Sequence, residues 1–189
     1  MIKYLELFTL FLYKKYNITP NDLTYIRIFS APWLALLIGI VLKDHSFSLA
    51  IITIILYSLM IVTDLLDGIL AREISKTGEH DHFLGGMIDR IGDKLFVIFM
   101  LIPFGLNLFT ITIILGESIL AWQAINATGK QKQAGKIGKV KMVLQTFLIP
   151  ILLISQTTSF IPDMLLYFYI ILTLVFTYAS VYFHYFKHE

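Results

Sequence analysis

The chain contains no cysteine and very little charge. None of its 189 residues can form a disulfide bond or a thiolate–metal bond. Charged residues make up 15% of the sequence, whereas a soluble domain carries about 25%. The formal net charge of +2 is too small to indicate nucleic-acid binding. With 57% hydrophobic residues and a mean hydropathy of +0.77, the composition indicates an integral membrane protein rather than a soluble domain.

Six stretches are long and apolar enough to cross a bilayer as helices, which takes about 20 residues. They cover about residues 23–42, 47–70, 87–106, 109–126, 139–155 and 164–186. Pro103, Gly105 and Asn107 predict a turn after the third stretch, and Pro162 suits the first turn of the last one. Because no repeat or separate soluble segment is visible, we predict one all-α integral membrane domain over residues 1–189 with six transmembrane helices.

The ends and loops predict how this domain lies in the membrane. Residues 1–18 carry apolar side chains at helical spacing with lysines near both ends, which predicts an interfacial helix. A short extension of the first span is the alternative. Of the 15 Lys and Arg residues, only Lys43 falls in the loops after the first, third and fifth spans. The positive-inside rule therefore predicts that both termini are cytoplasmic.

Four aspartates lie at one depth in this apolar sequence. Asp64 and Asp67 share a face in the last inner turns of the second span, and Asp89 and Asp93 share a face in the first turns of the third. Each carboxylate would cost roughly 2.5–3.5 kcal/mol in lipid, and the four would repel one another. Mg²⁺ or Mn²⁺ would offset both effects, since hard cations prefer carboxylate oxygens. We therefore predict a metal site, with two ions as the arrangement that commonly binds a phosphoryl group and with the active site on the cytoplasmic side.

Three residues beside the aspartates predict a phosphate-bearing ligand. Gly68 has no Cβ, so a ligand can approach the backbone there. Gly85 lies one helical turn before Asp89 and opens space on the same face. Arg72, near the inner membrane surface, suits a phosphate or diphosphate.

The complete pattern resembles the signature of the CDP-alcohol phosphatidyltransferase family, D-x2-D-G-x2-A-R…G-x3-D-x3-D. Its fixed positions are all present, as Asp64, Asp67, Gly68, Ala71, Arg72, Gly85, Asp89 and Asp93. Residues 18–27 are similar to the family's T-P-N-x-L-T-x-x-R stretch. Residues 138–145 are similar to the G-K-x-K-T-x-x-Q segment of phosphatidylglycerophosphate synthases, with Met142 in place of threonine.

The resemblance implies transfer of a phosphatidyl group from CDP-diacylglycerol, or a similar CDP-lipid, to a polar alcohol, with release of CMP in phospholipid biosynthesis. It implies one metal ion held by Asp64, Asp67 and Asp89, a second near Asp64, Asp89 and Asp93, and Asp93 as the general base. The residues implied in CDP-lipid binding are Thr19, Pro20, Asn21, Asp22, Gly68, Ala71, Arg72 and Gly85. Members of the family are commonly homodimers.

The acceptor is read from a different part of the chain. Lys139 and Lys141 can attract an anionic acceptor, and segment 138–145 favours glycerol-3-phosphate. Members that use glycerol-3-phosphate usually carry R-E-x6-R in the fourth span, where this chain has Gly116-Glu117 and later Ala124. Inositol phosphate, inositol and serine therefore stay open as acceptors.

Other features have competing interpretations. The loop between Arg72 and Gly85 is longer than in the family signature and contains His80-Asp81-His82, which is either a metal site or a solvated loop. Glu117 lies within a span, so we expect a polar partner or a wet cavity around it. An ion-coupled transporter would also place acids in the membrane, and an intramembrane prenyltransferase would also use aspartate-rich metal motifs.

Overall fold

The computed structural model describes residues 9–11, 13–76, 83–126 and 135–186, and these parts are helical with short connections and no β-strand. Six long helices follow one another along the chain. They are α1 (Pro20–Asp44), α2 (Phe47–Lys76), α3 (Phe83–Leu101), α4 (Leu108–Asn126), α5 (Lys136–Thr157) and α6 (Asp163–Phe186). The predicted all-α class is confirmed. Of the predicted interfacial helix, residues 9–11 and 13–16 are helical and residues 1–8 and 12 lie outside the described parts.

Five of the six helices, within the described residues, are long and apolar enough to cross a membrane. These are α1, α2 as far as Ile74, α4 as far as Ile125, α5, and α6 as far as Tyr185. Helix α3 differs because its 19 residues include four charged ones, Asp89, Arg90, Asp93 and Lys94. The count of six transmembrane helices therefore stays a prediction.

The turn predicted between the third and fourth spans is present. Helix α3 ends at Leu101, ahead of the predicted position 106, and a short 3-10 helix (Ile102–Phe104) carries the chain to Gly105. Gly105 has φ +85°, a conformation that glycine adopts without steric strain. The Thr110 backbone N–H then donates to the Asn107 side-chain oxygen at 3.0 Å, which fixes the start of α4.

The first helix begins with a capping box. The Asp22 backbone N–H donates to the Thr19 hydroxyl oxygen at 3.3 Å, and the Thr19 N–H donates to the Asp22 carboxylate at 2.8 Å. Pro20 occupies the first turn, where its missing N–H costs no hydrogen bond. The start of α1 is thereby fixed, seven residues before Arg27.

Glycines bring neighbouring helices close together at two points. Helix α1 packs on α2 and α3, and α4 packs between α3 and α6. A Cβ added to Gly92 of α3 would lie 3.1 Å from side-chain carbons of both Thr24 and Ile28 in α1. A Cβ added to Gly116 of α4 would lie 2.7 Å from Cγ2 of Thr177 in α6. These approaches set the spacing of the helices on which the polar residues described below lie.

The exterior of the bundle is apolar. Large side chains such as Phe29, Trp33 and Trp122 are mostly exposed, whereas Ile38 and Met100 are fully buried between helices. An apolar surface together with an apolar interior is the pattern that a lipid environment permits and water does not.

We predict that Gly116→Ala destabilises the bundle, because the new methyl group meets Thr177 at a distance that side-chain carbons do not tolerate. Overpacking of this kind costs about 1–3 kcal/mol, so the thermal midpoint in detergent should fall. The control is Gly39→Ala in α1, where an added Cβ meets no described atom within 4 Å. That control should keep or raise the midpoint, since alanine favours helix more than glycine does. Equal midpoints for the two variants would contradict the close approach of α4 and α6.

Candidate functional site

A buried arginine lies at the centre of the four predicted aspartates. Arg27 points from α1 between α2 and α3, and only 1% of its surface is exposed. Its Nη1 forms an ion pair with Asp64 and lies 3.5 Å from Asp67 Oδ2. Its Nη2 lies 2.9 Å from Asp89 Oδ1 and 2.7 Å from Asp93 Oδ1. The two acidic pairs therefore converge as predicted, and a cation from a third helix holds them together.

Three of the carboxylates form a compact group. One oxygen each from Asp64, Asp89 and Asp93 lies within 4.8 Å of the others, a separation that allows them to share a metal ion. Asp67 is not part of this group, and its side chain is the most deeply buried of the four aspartates. Its Oδ2 lies 3.4 Å from the Thr24 hydroxyl. The structure thus separates Asp67 slightly from the other three.

The residues predicted to bind the CDP-lipid lie at this same end of the bundle. The Thr24 hydroxyl is 3.3 Å from the Pro20 carbonyl oxygen as well as near Asp67, so it connects the first turn of α1 with the acidic cluster. Asn21 is half-buried in that first turn, and Thr19 and Asp22 form the capping box.

On α2, the residues predicted to bind the CDP-lipid leave space for a ligand beside the helix backbone. A Cβ at Gly68 would meet no described atom within 4 Å, so the space there is open as predicted. Arg72 is exposed and its Nε donates to the Gly68 carbonyl oxygen at 2.8 Å. Ala71 is half-buried on the same helix, and Gly85 lies in the first turn of α3.

A second polar cluster lies deeper in the bundle. The Lys141 amine in α5 donates to both carboxylate oxygens of Glu117 in α4, at 2.8 and 3.0 Å. Gln145 Nε2 donates to Glu117 Oε1 at 2.7 Å and lies 3.3 Å from the Thr177 hydroxyl. Glu117, Lys141, Gln145 and Thr177 are all buried. The partner that Glu117 was expected to need is therefore Lys141, with Gln145 beside it.

One cavity connects the two clusters. Asp64 and Asp93 line it together with Lys94 at one side, and Glu117 and Lys141 line it at the other. A small polar molecule in this cavity would contact Asp93 and the second cluster together. The predicted general base thus borders the space available to an acceptor.

The two lysines predicted to attract the acceptor are placed differently. Lys141 is buried in the cavity wall, whereas Lys139 is exposed on the surface of α5. The spacing of the two residues in a helix accounts for this, since positions i and i+2 point to different faces. His80-Asp81-His82 lies outside the described residues.

Helices long enough to cross a membrane, a cluster of four aspartates and an adjoining cavity lined by charged residues define a candidate site for phosphate chemistry at a membrane. The model of the CDP-alcohol phosphatidyltransferase family matches residues 17–181, and the chain belongs to this family. Comparison with curated proteins and with solved structures gave no match. The chain is therefore an integral membrane transferase for substituted phosphate groups that acts in phospholipid biosynthesis, and the transporter and prenyltransferase alternatives are set aside.

Sequence reasoning missed Arg27 as the centre of the acidic site. Arg27 is a single arginine within the first apolar span, and a charged residue at such a position is expected to have a buried partner. Gln145 was visible as a motif residue, but no sequence signal linked it to Glu117. Both contacts join separate helices, and periodicity along one helix does not identify them.

We predict that Arg27→Gln lowers stability sharply when divalent cations are chelated, because four clustered carboxylates lose their counter-ion. Removing one partner of a buried ion pair costs about 3–5 kcal/mol. Thermal unfolding in detergent with EDTA should show the loss. Arg27→Lys, which keeps the positive charge, should show a smaller loss, and added Mg²⁺ should stabilise Arg27→Gln more than the unmodified protein. A midpoint for Arg27→Gln in EDTA equal to that of the unmodified protein would contradict the role of this cation.

Proposed function

We propose that the protein transfers a phosphatidyl group from CDP-diacylglycerol to a small polar alcohol and releases CMP, with divalent metal ions bound by the aspartates. The observation that carries this proposal is the position of Asp93. It belongs to the compact carboxylate group and also lines the cavity that adjoins Glu117 and Lys141. Donor and acceptor would therefore meet at this residue.

The chemistry of the cluster fits a divalent cation. The four carboxylates already surround a cationic group, the Arg27 guanidinium. The family is generally dependent on divalent metals. Asp64, Asp67, Asp89 and Asp93 would hold Mg²⁺ or Mn²⁺, which would neutralise the donor diphosphate and stabilise the leaving CMP.

The formal charges support two ions when the donor is bound. Four carboxylates face two nearby cationic side chains, Arg27 and Lys94, which leaves two negative charges. One divalent cation would neutralise that remainder. A second divalent cation would add two positive charges. The diphosphate of a CDP-lipid carries two negative charges and would neutralise them. The second ion and the donor would then bind together.

The remaining donor contacts come from the chain itself. Arg27 Nε is buried without a hydrogen-bond partner in the described parts of the chain, and a diphosphate oxygen would satisfy it. Arg72 and the open space beside Gly68 would accommodate the rest of the diphosphate. Thr19, Pro20, Asn21, Asp22, Ala71 and Gly85 are proposed to complete the CDP-lipid site.

In the transfer step, Asp93 would accept the proton of the acceptor hydroxyl. The hydroxyl oxygen forms a bond to the phosphorus that carries the diacylglycerol, and the bond from that phosphorus to the bridging oxygen breaks. The bridging oxygen leaves with CMP, and the phosphodiester product stays in the membrane. Glycerol-3-phosphate, inositol phosphate, inositol and serine each offer a hydroxyl for this step.

The proposed arrangement in the membrane follows the charge distribution. We propose that both termini and the active site face the cytoplasm, that residues 1–189 act as one domain, and that the protein works as a homodimer. The concentration of basic residues on one side of the predicted spans supports the orientation.

We expect purified protein in lipid nanodiscs to release CMP from CDP-diacylglycerol in the presence of Mg²⁺ or Mn²⁺ and a panel of polar alcohols. EDTA should abolish the release, and restoring the metal should recover it. Asp64→Asn should lose both metal stimulation and direct Mn²⁺ binding, because one ligand of the compact group becomes neutral. Metal-stimulated turnover that persists in Asp64→Asn would contradict the ligand assignment.

We expect Asp93→Asn to lower kcat by about 100-fold or more, since the amide cannot accept the hydroxyl proton. Binding of CDP-diacylglycerol, followed by tryptophan fluorescence, should persist. The matched control is Asp163→Asn, an exposed aspartate at the start of α6. Asp163 follows the end of α5, and Gln156 at that end contacts His45 at the end of α1. The aspartate site lies near the opposite end of α1, so Asp163 is remote from it. Near-normal turnover in Asp93→Asn would remove Asp93 as the base.

A further inference from the structure

The second polar cluster bears on which alcohol the enzyme accepts. Glu117 is 1% exposed and Lys141 is 4% exposed, so both charges are removed from solvent. The Lys141 amine donates to both Glu117 oxygens, and Gln145 donates to one of them. The positive charge of Lys141 is thus already neutralised within the cavity wall.

The cavity as a whole is balanced in charge. Among its lining residues, Arg27, Lys94 and Lys141 are cationic and Asp64, Asp93 and Glu117 are anionic. Arg27 is ion-paired with the aspartates, Lys141 is ion-paired with Glu117, and Lys94 lies within the electrostatic influence of Asp93 and Asp89. A phosphate group on the acceptor would therefore enter a cavity whose lining offers it no surplus positive charge.

A phosphate could bind Lys141 only by separating it from Glu117. That exchange would leave a buried carboxylate without its counter-ion and place it beside a second anion. Hydroxyl and ammonium groups, in contrast, can donate a hydrogen bond to Glu117 without separating it from Lys141. A carboxylate accepts about four hydrogen bonds, and Glu117 accepts three from Lys141 and Gln145. Among the residues that the structure describes, one acceptor position of Glu117 therefore stays available for a hydrogen-bond donor.

We propose that the acceptor of this enzyme is an alcohol without a phosphate group, whose further polar groups donate hydrogen bonds to Glu117. The proposal rests on the proposed function, since it assigns the acceptor side of the same site. It departs from the expectation of glycerol-3-phosphate, which the resemblance of residues 138–145 to phosphatidylglycerophosphate synthases favoured. Among the candidates above, inositol and serine have the required chemistry.

Matched acceptor pairs test this directly. The protein in nanodiscs is given CDP-diacylglycerol, Mg²⁺ or Mn²⁺, and either inositol or inositol phosphate, glycerol or glycerol-3-phosphate, or serine or phosphoserine. CMP release and the mass of the lipid product are measured for each. We expect kcat/KM at least about tenfold higher for the unphosphorylated member of the best pair, a difference of about 1.4 kcal/mol. A preference for the phosphorylated member would overturn the proposal.

A failure of the proposed function is distinguishable from a failure of this inference. If monodisperse, folded protein released no CMP with any acceptor, phosphatidyl transfer itself would be refuted. If CMP appeared only with phosphorylated acceptors, the transfer would stand and the acceptor assignment would fall. The comparison uses the unmodified protein, so it does not depend on the folding of a variant.

Glu117→Gln then tests the residue that carries the argument. The amide keeps the shape and releases Lys141, so discrimination against the phosphorylated acceptor should fall by about tenfold or more, which corresponds to about 1.4 kcal/mol. Glu73→Gln is the matched control, because Glu73 lies in α2 outside the cavity lining and should leave the preference unchanged. An unaltered preference in Glu117→Gln, with a thermal midpoint close to that of the unmodified protein, would remove Glu117 as the determinant.

Discussion

The ion pairing between Arg27 and the four aspartates is the interaction on which the rest of the structure depends. It joins α1 to α2 and α3, and it does so in a bundle whose surroundings are apolar. Neither the arginine nor the aspartates would be tolerated there alone. The close approach at Gly92 permits the short distances, since a larger residue would push α3 away from α1.

The two polar clusters differ in charge, and this difference divides the cavity between them. The aspartate cluster keeps excess negative charge after Arg27 and Lys94 are counted, so under the proposed function it would attract metal ions and, with them, a diphosphate. The cluster of Glu117 and Lys141 is neutral and well hydrogen-bonded. An ionic donor at one side and an uncharged hydroxyl group at the other would then meet at Asp93, which borders both regions.

Much of this could be predicted from the sequence, and the limit has a physical reason. Helical periodicity and the thickness of a bilayer placed Asp64 and Asp89 at one depth, and turn residues such as Gly105 marked the connection after α3. The partners of Arg27 and Glu117 could not be read in this way. Glu117 and Lys141 are 24 residues apart on different helices, and a single sequence does not specify which sides of two helices pack together.

The position of Arg27 also constrains how the protein assembles. Helix α1 is synthesised before α2 and α3, and the four aspartates that pair with its arginine all come from those two later helices. A lone arginine in lipid is costly, so packing α2 and α3 against α1 stabilises the first helix by supplying its counter-ions. The candidate site and the association of α1 with α2 and α3 thus depend on the same ion pairs.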